Sequence, residues 1–151
     1  MQELEREGRA EGVRRADRAR DAARPVLFAV EDDPATLELL RDVAIDAGWS
    51  ARAFSHLSEL KRATDERVPD LVILDDDLPD GRGGDHAREL RSDRRLRDVP
   101  VLVCTAAPPG RQAEIGAWAP VVNKPFELRE IERILHGIAR TRGLQVHRAA
   151  G

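Results

Sequence analysis

The chain contains no tyrosine, and its three phenylalanines and two tryptophans leave aromatics at 3% of 151 residues. Trp49 and Trp118 read as packing residues, with no nucleic-acid role. There is one cysteine, Cys104. It excludes an internal disulfide and fits a reducing compartment. Because it sits in an apolar run, it reads as a buried, inert thiol. Lysine is nearly absent, with only Lys61 and Lys124, so the basic side chains are almost all arginine. Neither charge sign is in large excess. A net charge of -3 gives no case for direct nucleic-acid or membrane binding. No apolar stretch is long enough to span a bilayer, and the charged N-terminus lacks the apolar centre of a signal peptide. A cytoplasmic location is the expectation.

What is present is a chain long enough for one domain with a sizeable core. Residues 1–24 stand apart as an extension of Glu, Arg, Ala, Asp and Gly with alternating charges. Opposite charges at i and i+4 suit a solvated helix. A frayed extension, a docking or dimerising helix, and disorder all stay open there. From residue 25 to 140, apolar strands alternate with amphipathic helices. The strands are Val26 to Val30, Trp49 to Phe54, Leu71 to Leu74, Val101 to Cys104 and Val121 to Asn123. Helices are expected after Asp33-Pro34, over about His56 to Thr64 with Ser55 as its cap, over Asp85 to Ser92, and over Phe126 to Arg140. The inner stripe of the last is Leu128, Ile131, Ile134, Leu135 and Ile138. Pro108-Pro109-Gly110 opposes a regular start to the fourth helix, which is expected to be short or irregular. Residues 141–151 read as a loose tail. Five strand–helix units of this length predict a doubly wound α/β fold: a five-stranded parallel sheet with helices on both faces and right-handed crossovers.

The chemistry gathers at the strand ends. The first strand runs into Glu31-Asp32-Asp33, the third into Asp75-Asp76-Asp77, the fourth into Thr105 and the fifth into Asn123-Lys124-Pro125. In a parallel sheet all four ends meet at the carboxyl edge, where open α/β sheets bind ligands. Carboxylates crowded there repel one another unless a cation joins them, and hard divalent ions such as Mg²⁺ take oxygen ligands of this type. Phosphoryl chemistry on an aspartate, assisted by a metal, is the expectation. Asp33 reads as a helix N-cap, and Asp76 as pointing away from the pocket, because neighbours on an extended segment alternate sides. His56, His86, His136 and His147 show no ligand spacing and read as surface or helix-face residues. Gly83-Gly84 reads as a tight turn into the following helix.

Val-Glu-Asp-Asp-Pro at 30–34, Leu-Asp-Asp-Asp-Leu-Pro-Asp-Gly at 74–81, Thr105-Ala106 and Lys124-Pro125-Phe126 occur in that order and at strand ends. Together they resemble the receiver domain of bacterial two-component response regulators, over roughly Pro25 to Arg140. The resemblance implies a flavodoxin-like (βα)₅ fold. It implies phosphorylation of Asp75, with Mg²⁺ held by Glu31, Asp32, Asp75 and the backbone carbonyl of Asp77. It makes Thr105 the switch hydroxyl, Lys124 the lysine facing the phosphoryl group, and Lys124-Pro125 a candidate cis peptide. A histidine kinase or a histidine phosphotransfer protein is the implied phosphodonor. The output target is unnamed, and a homodimer stays open. Such a protein catalyses only its own phosphorylation and dephosphorylation.

One position departs from the pattern. Receivers usually carry an aromatic three residues before the lysine, to swing with the switch threonine; here it is Val121. The expectation is therefore intact phosphorylation chemistry with an unusual output surface. No further domain pattern follows Arg140, so a stand-alone receiver, or one excised from a larger protein, that signals through protein contact is expected. Two competing readings remain. One is a degenerate receiver that only binds a partner. The other is a haloacid dehalogenase-type phosphatase built on Asp75 and Asp77.

Overall fold

The computed structural model describes Arg6, Arg9, Gly12, residues 24–144 and Val146. Expectations for the rest of the N-terminal extension, for His147 and for the end of the tail lie outside the described residues. The strands of the parallel sheet are β1 (Val26–Val30), β2 (Ser50–Phe54), β3 (Leu71–Asp75), β6 (Val101–Thr105) and β7 (Val121–Asn123). They lie in the order β2-β1-β3-β6-β7. A small antiparallel pair, β4 (Asp77–Leu78) and β5 (Gly81–Arg82), lies between β3 and the next helix. The helices are α1 (Pro34–Asp46), α2 (Leu57–Glu66), α3 (Gly83–Ser92), α4 (Pro109–Gly116) and α5 (Leu128–Thr141).

The strands are apolar on both sides because both faces are covered. Val26, Phe28, Val30, Val72, Leu74, Val101 and Val103 pack under α2, α3 and α4, through Leu60, Leu90 and Ile115. Residues of opposite parity, Leu27, Ala29, Leu71, Ile73, Leu102 and Cys104, pack under α1 and α5 through Leu40, Ala44, Ile131 and Leu135. The five-stranded α/β expectation holds, with the five helices described between residues 34 and 141 on the two faces.

Several local expectations are corrected. Ser55 does not cap α2: its hydroxyl bonds Glu59. Asp80 does so from the far side of β3, its carboxylate accepting from the amides of Leu57 at 2.8 Å and Ser58 at 2.9 Å. α3 begins at Gly83 rather than Asp85. Gly83 and Gly84 serve close approach rather than a turn. A Cβ on Gly83 would stand 1.9 Å from the Asp75 carbonyl oxygen, and one on Gly84 2.8 Å from the side chain of Ile115. Leu128 is exposed because it opens α5, before the helix meets the core; Ile131, Leu135 and Ala139 form the buried stripe. α4 is short, at eight residues, but starts directly at Pro109, where a missing amide hydrogen costs nothing.

Candidate functional site at the carboxyl edge

Strand register brings the polar ends level with one another. Val30 pairs with Leu74, so Glu31 follows β1 as Asp75 closes β3, and Thr105 pairs with Asn123. Alternation then divides these ends between two faces. Glu31, Asp75 and Lys124 share the parity of the α1–α5 side. Asp76, Thr105 and Asn123 share that of the α2–α4 side.

On the first side, carboxylate oxygens of Glu31, Asp32 and Asp75 lie within 4.8 Å of one another. Glu31 and Asp75 are buried and Asp32 is exposed, so the group opens to solvent on one side. Lys124 Nζ donates to Glu31 Oε2 and stands 3.4 Å from Asp75 Oδ2. The amide of Asp77 donates to Asp75 Oδ1 at 3.3 Å, and that of Asp33 to Glu31 Oε1 at 3.2 Å. Burial pushes the Glu31 carboxyl up to about 7, against its hydrogen bond from Lys124. Burial opposes the Lys124 charge as well, but the carboxylates of Glu31 and Asp75 outweigh it and raise the ammonium. A raised acid beside a raised base marks a pocket short of positive charge: three carboxylates face one ammonium. That donor set, all oxygen and net negative, fits a hard divalent cation. The Lys124-Pro125 peptide is cis, as the resemblance implied. Cys104, beneath the site, is buried, and burial pushes its thiol up to about 12.

On the second side, Thr105 is fully buried and its Oγ1 accepts from the Ala107 amide at 3.0 Å. Asp76 points away from the pocket, as alternation required, but it is not idle. It is 2% exposed and meets Arg111 of α4 through two hydrogen bonds, Nε to Oδ2 at 3.0 Å and NH2 to Oδ1 at 2.9 Å. It also accepts from the Gly84 amide at 3.0 Å. Burial opposes its charge, yet the Arg111 bonds hold its carboxyl below the ordinary range. Sequence reasoning missed Arg111; the available signal was an unpaired acid of known parity facing the α4 side. His86 is also corrected: it is buried on the inner face of α3, one turn before Leu90. Its Nδ1 lies 3.1 Å from Glu89, and burial lowers its pKa.

The model of the response regulator receiver domain family matches residues 27–136, most of the chain. The chain belongs to the receiver domain family. DivK, a polar-differentiation response regulator of Brucella ovis, is 34% identical over 113 residues, covering 72% of this receiver and 91% of DivK. GltR, a transcriptional regulatory protein of Pseudomonas aeruginosa, is 32% identical over 108 residues, covering 70% of this receiver and 45% of GltR. The receiver thus spans about half the length of such regulators. Among solved structures, the receiver domain of a Pseudomonas aeruginosa sensor histidine kinase is 24% identical with a TM-score of 0.68, covering 76% of this receiver and 97% of that chain; it holds a magnesium ion in its active-site cleft. The NtrC4 receiver, solved as a beryllofluoride-activated dimer, is 17% identical with a TM-score of 0.70, covering 77% of this receiver and 97% of that chain. These structures share the fold. Receiver domains are signalling proteins that accept phosphate from histidine kinases and bind Mg²⁺ at an acidic site. No described helix is long and apolar enough to cross a membrane.

Proposed function

We propose that Asp75 is the phosphoacceptor, and that this receiver takes its phosphoryl group from a histidine kinase or a histidine phosphotransfer protein. The observation that carries this is the placement of Asp75 at the sheet edge, among Glu31 and Asp32, with Lys124 3.4 Å from its Oδ2. A carboxylate oxygen of Asp75 attacks phosphorus. The new P–O bond forms as the P–N bond to the donor imidazole breaks, and the leaving nitrogen keeps the electron pair and takes up a proton. Glu31, Asp32, Asp75 and the Asp77 carbonyl would hold Mg²⁺, which would supply positive charge to offset the negative charge of the acceptor and the incoming phosphoryl group. Lys124 keeps its proton at neutral pH and offers a point charge to the incoming anion. Thr105 supplies a hydroxyl that can turn from the Ala107 amide to a phosphoryl oxygen.

The domain limits we assign are 25–140 for the receiver, 1–24 for an extension and 141–151 for a tail, with the cytoplasm as the site of action. The signal leaves by protein contact, with a homodimer as one form of that contact. Incubation with Mg²⁺ and acetyl phosphate, read by intact mass, tests the assignment. One added phosphate is expected on the wild type and none on Asp75→Asn. Continued consumption of the donor without an adduct would favour a phosphatase instead.

A further inference from the structure

The first turn of α4 carries two neighbouring side chains that reach three of the four segments bearing the site. Arg111 holds Asp76, the residue after Asp75. Gln112 Nε2 donates to the Ala107 carbonyl at 2.8 Å, two residues past Thr105, and to Asn123 Oδ1 at 3.1 Å, one residue before Lys124. Little in α4 itself would keep it in place. It has eight residues and no side-chain cap, and a helix that short is not stable alone. Ile115 anchors it to the core. The polar ties at its first turn then set where its amino end sits. The Asp76–Arg111 pair is not a screened surface contact, since both side chains are largely buried.

We propose that α4 reads the state of Asp75 through Arg111 and Gln112, in place of an aromatic side chain moving with Thr105. This rests on the phosphoacceptor reading. Val121, half-buried at the strand next to Thr105, has neither ring nor hydroxyl with which to follow it. Thr105 reaches α4 by another route. Its Oγ1 now accepts from the Ala107 amide, and the Ala107 carbonyl is a Gln112 acceptor. A phosphoryl oxygen that draws the Thr105 hydroxyl away frees that amide and shifts the Ala107 peptide against Gln112. The second route is electrostatic: added negative charge on Asp75 acts on the adjacent Asp76 and on the guanidinium it holds. Arg111 at the same time bonds Asp85 Oδ1 at 3.0 Å and pairs with Glu114 Oε2 at 3.2 Å, both more exposed than Asp76, so the guanidinium keeps acidic partners when its hold on Asp76 loosens. A local charge change that biases one element between two positions is a recognised switching route.

The test is hydrogen exchange over residues 106–118, with and without Mg²⁺ and acetyl phosphate, with intact mass on the same samples. Three proteins are compared: wild type, Gln112→Ala, and the double variant Asp76→Asn with Arg111→Gln, which leaves no lone buried charge. The wild type is expected to gain one phosphate and to change its α4 exchange at least about fivefold, the lower end of ordinary coupling between sites. Both variants are expected to gain the phosphate while the α4 response falls below about twofold, with Gln112→Ala carrying the test should the double variant not fold. An adduct with unresponsive α4 in the wild type, or variants that respond as fully as wild type, would overturn this inference and leave the phosphoacceptor reading standing. No adduct on the wild type would overturn both.

Discussion

Lys124 donates a hydrogen bond to Glu31 and stands 3.4 Å from Asp75, so one ammonium faces two buried carboxylates. Its removal takes away the cation that pairs with the acidic group. Lys124→Gln is predicted to slow phosphate uptake from acetyl phosphate by about tenfold or more, as expected for loss of a placed charge facing a developing anion. Time-resolved intact mass checks this. An unchanged rate would show that Lys124 only neutralises Glu31.

His86 gives the fold an acid sensitivity. Burial lowers its pKa below the ordinary histidine value, against the hydrogen bond it donates to Glu89, with the Lys61 charge acting the same way as burial and Asp80 opposing it. The unfolded chain therefore binds this proton more readily than the folded one. Stability attributable to His86 is full above its unfolded pKa, about 6.5, and falls as pH drops through and below that value. His86→Gln, which does not titrate, is predicted to flatten the pH dependence of unfolding just below about pH 6.5. Urea melts at several pH values decide it. A slope that survives the substitution would assign the effect elsewhere.

Gly83 is predicted to resist any side chain. A methyl group there would occupy the space of the Asp75 carbonyl, and backbone cannot rotate away as a side chain can. Gly83→Ala is expected to cost about 1–3 kcal/mol in denaturant unfolding, the range for forced overpacking. A change well below that would mean that α3 can shift without loss.

The Asp76–Arg111 pair is predicted to be costly to break on one side only. Arg111→Met leaves a buried, unpaired carboxylate and is expected to destabilise by about 3–5 kcal/mol, while adding Asp76→Leu should recover most of the loss. Because Asp76 titrates below its ordinary value, the pair's contribution is present above that value and fades only as pH falls through the lowered pKa. Equilibrium unfolding of the single and double variants checks the first statement, and acid unfolding of the wild type the second.

What the sequence revealed was what depends on neighbours in the chain. The strands of β1, β3 and β6 show as unbroken apolar runs because both faces are covered, and their polar ends name the site. Asp33 is legible as the cap of α1 because Pro34 follows it at the first helical position, and the Thr36 amide does bond its carboxylate. Parity alone sent Asp76 away from the pocket. Contacts between distant segments were not legible. Asp80 caps α2 across 23 positions, and Arg111 finds Asp76 across 35. Gly83 was read as a turn because nothing local says that β3 passes beneath it. The sequence leaves His86 as a surface or helix-face residue because its own neighbours do not show which face of α3 meets the core, and the structure buries it.

Three aspartates stand in a row at the end of β3, and only Asp75 joins the acidic group with Glu31 and Asp32. Locating the phosphate among them is the most direct test. The protein is loaded with acetyl phosphate and Mg²⁺, reduced with borohydride, which converts an aspartyl phosphate to homoserine, and mapped by peptide mass spectrometry. The predicted result is homoserine at position 75 alone, lost when Mg²⁺ is withheld. Homoserine at position 76 or 77, or an unmodified peptide from protein that carries phosphate, would contradict the account.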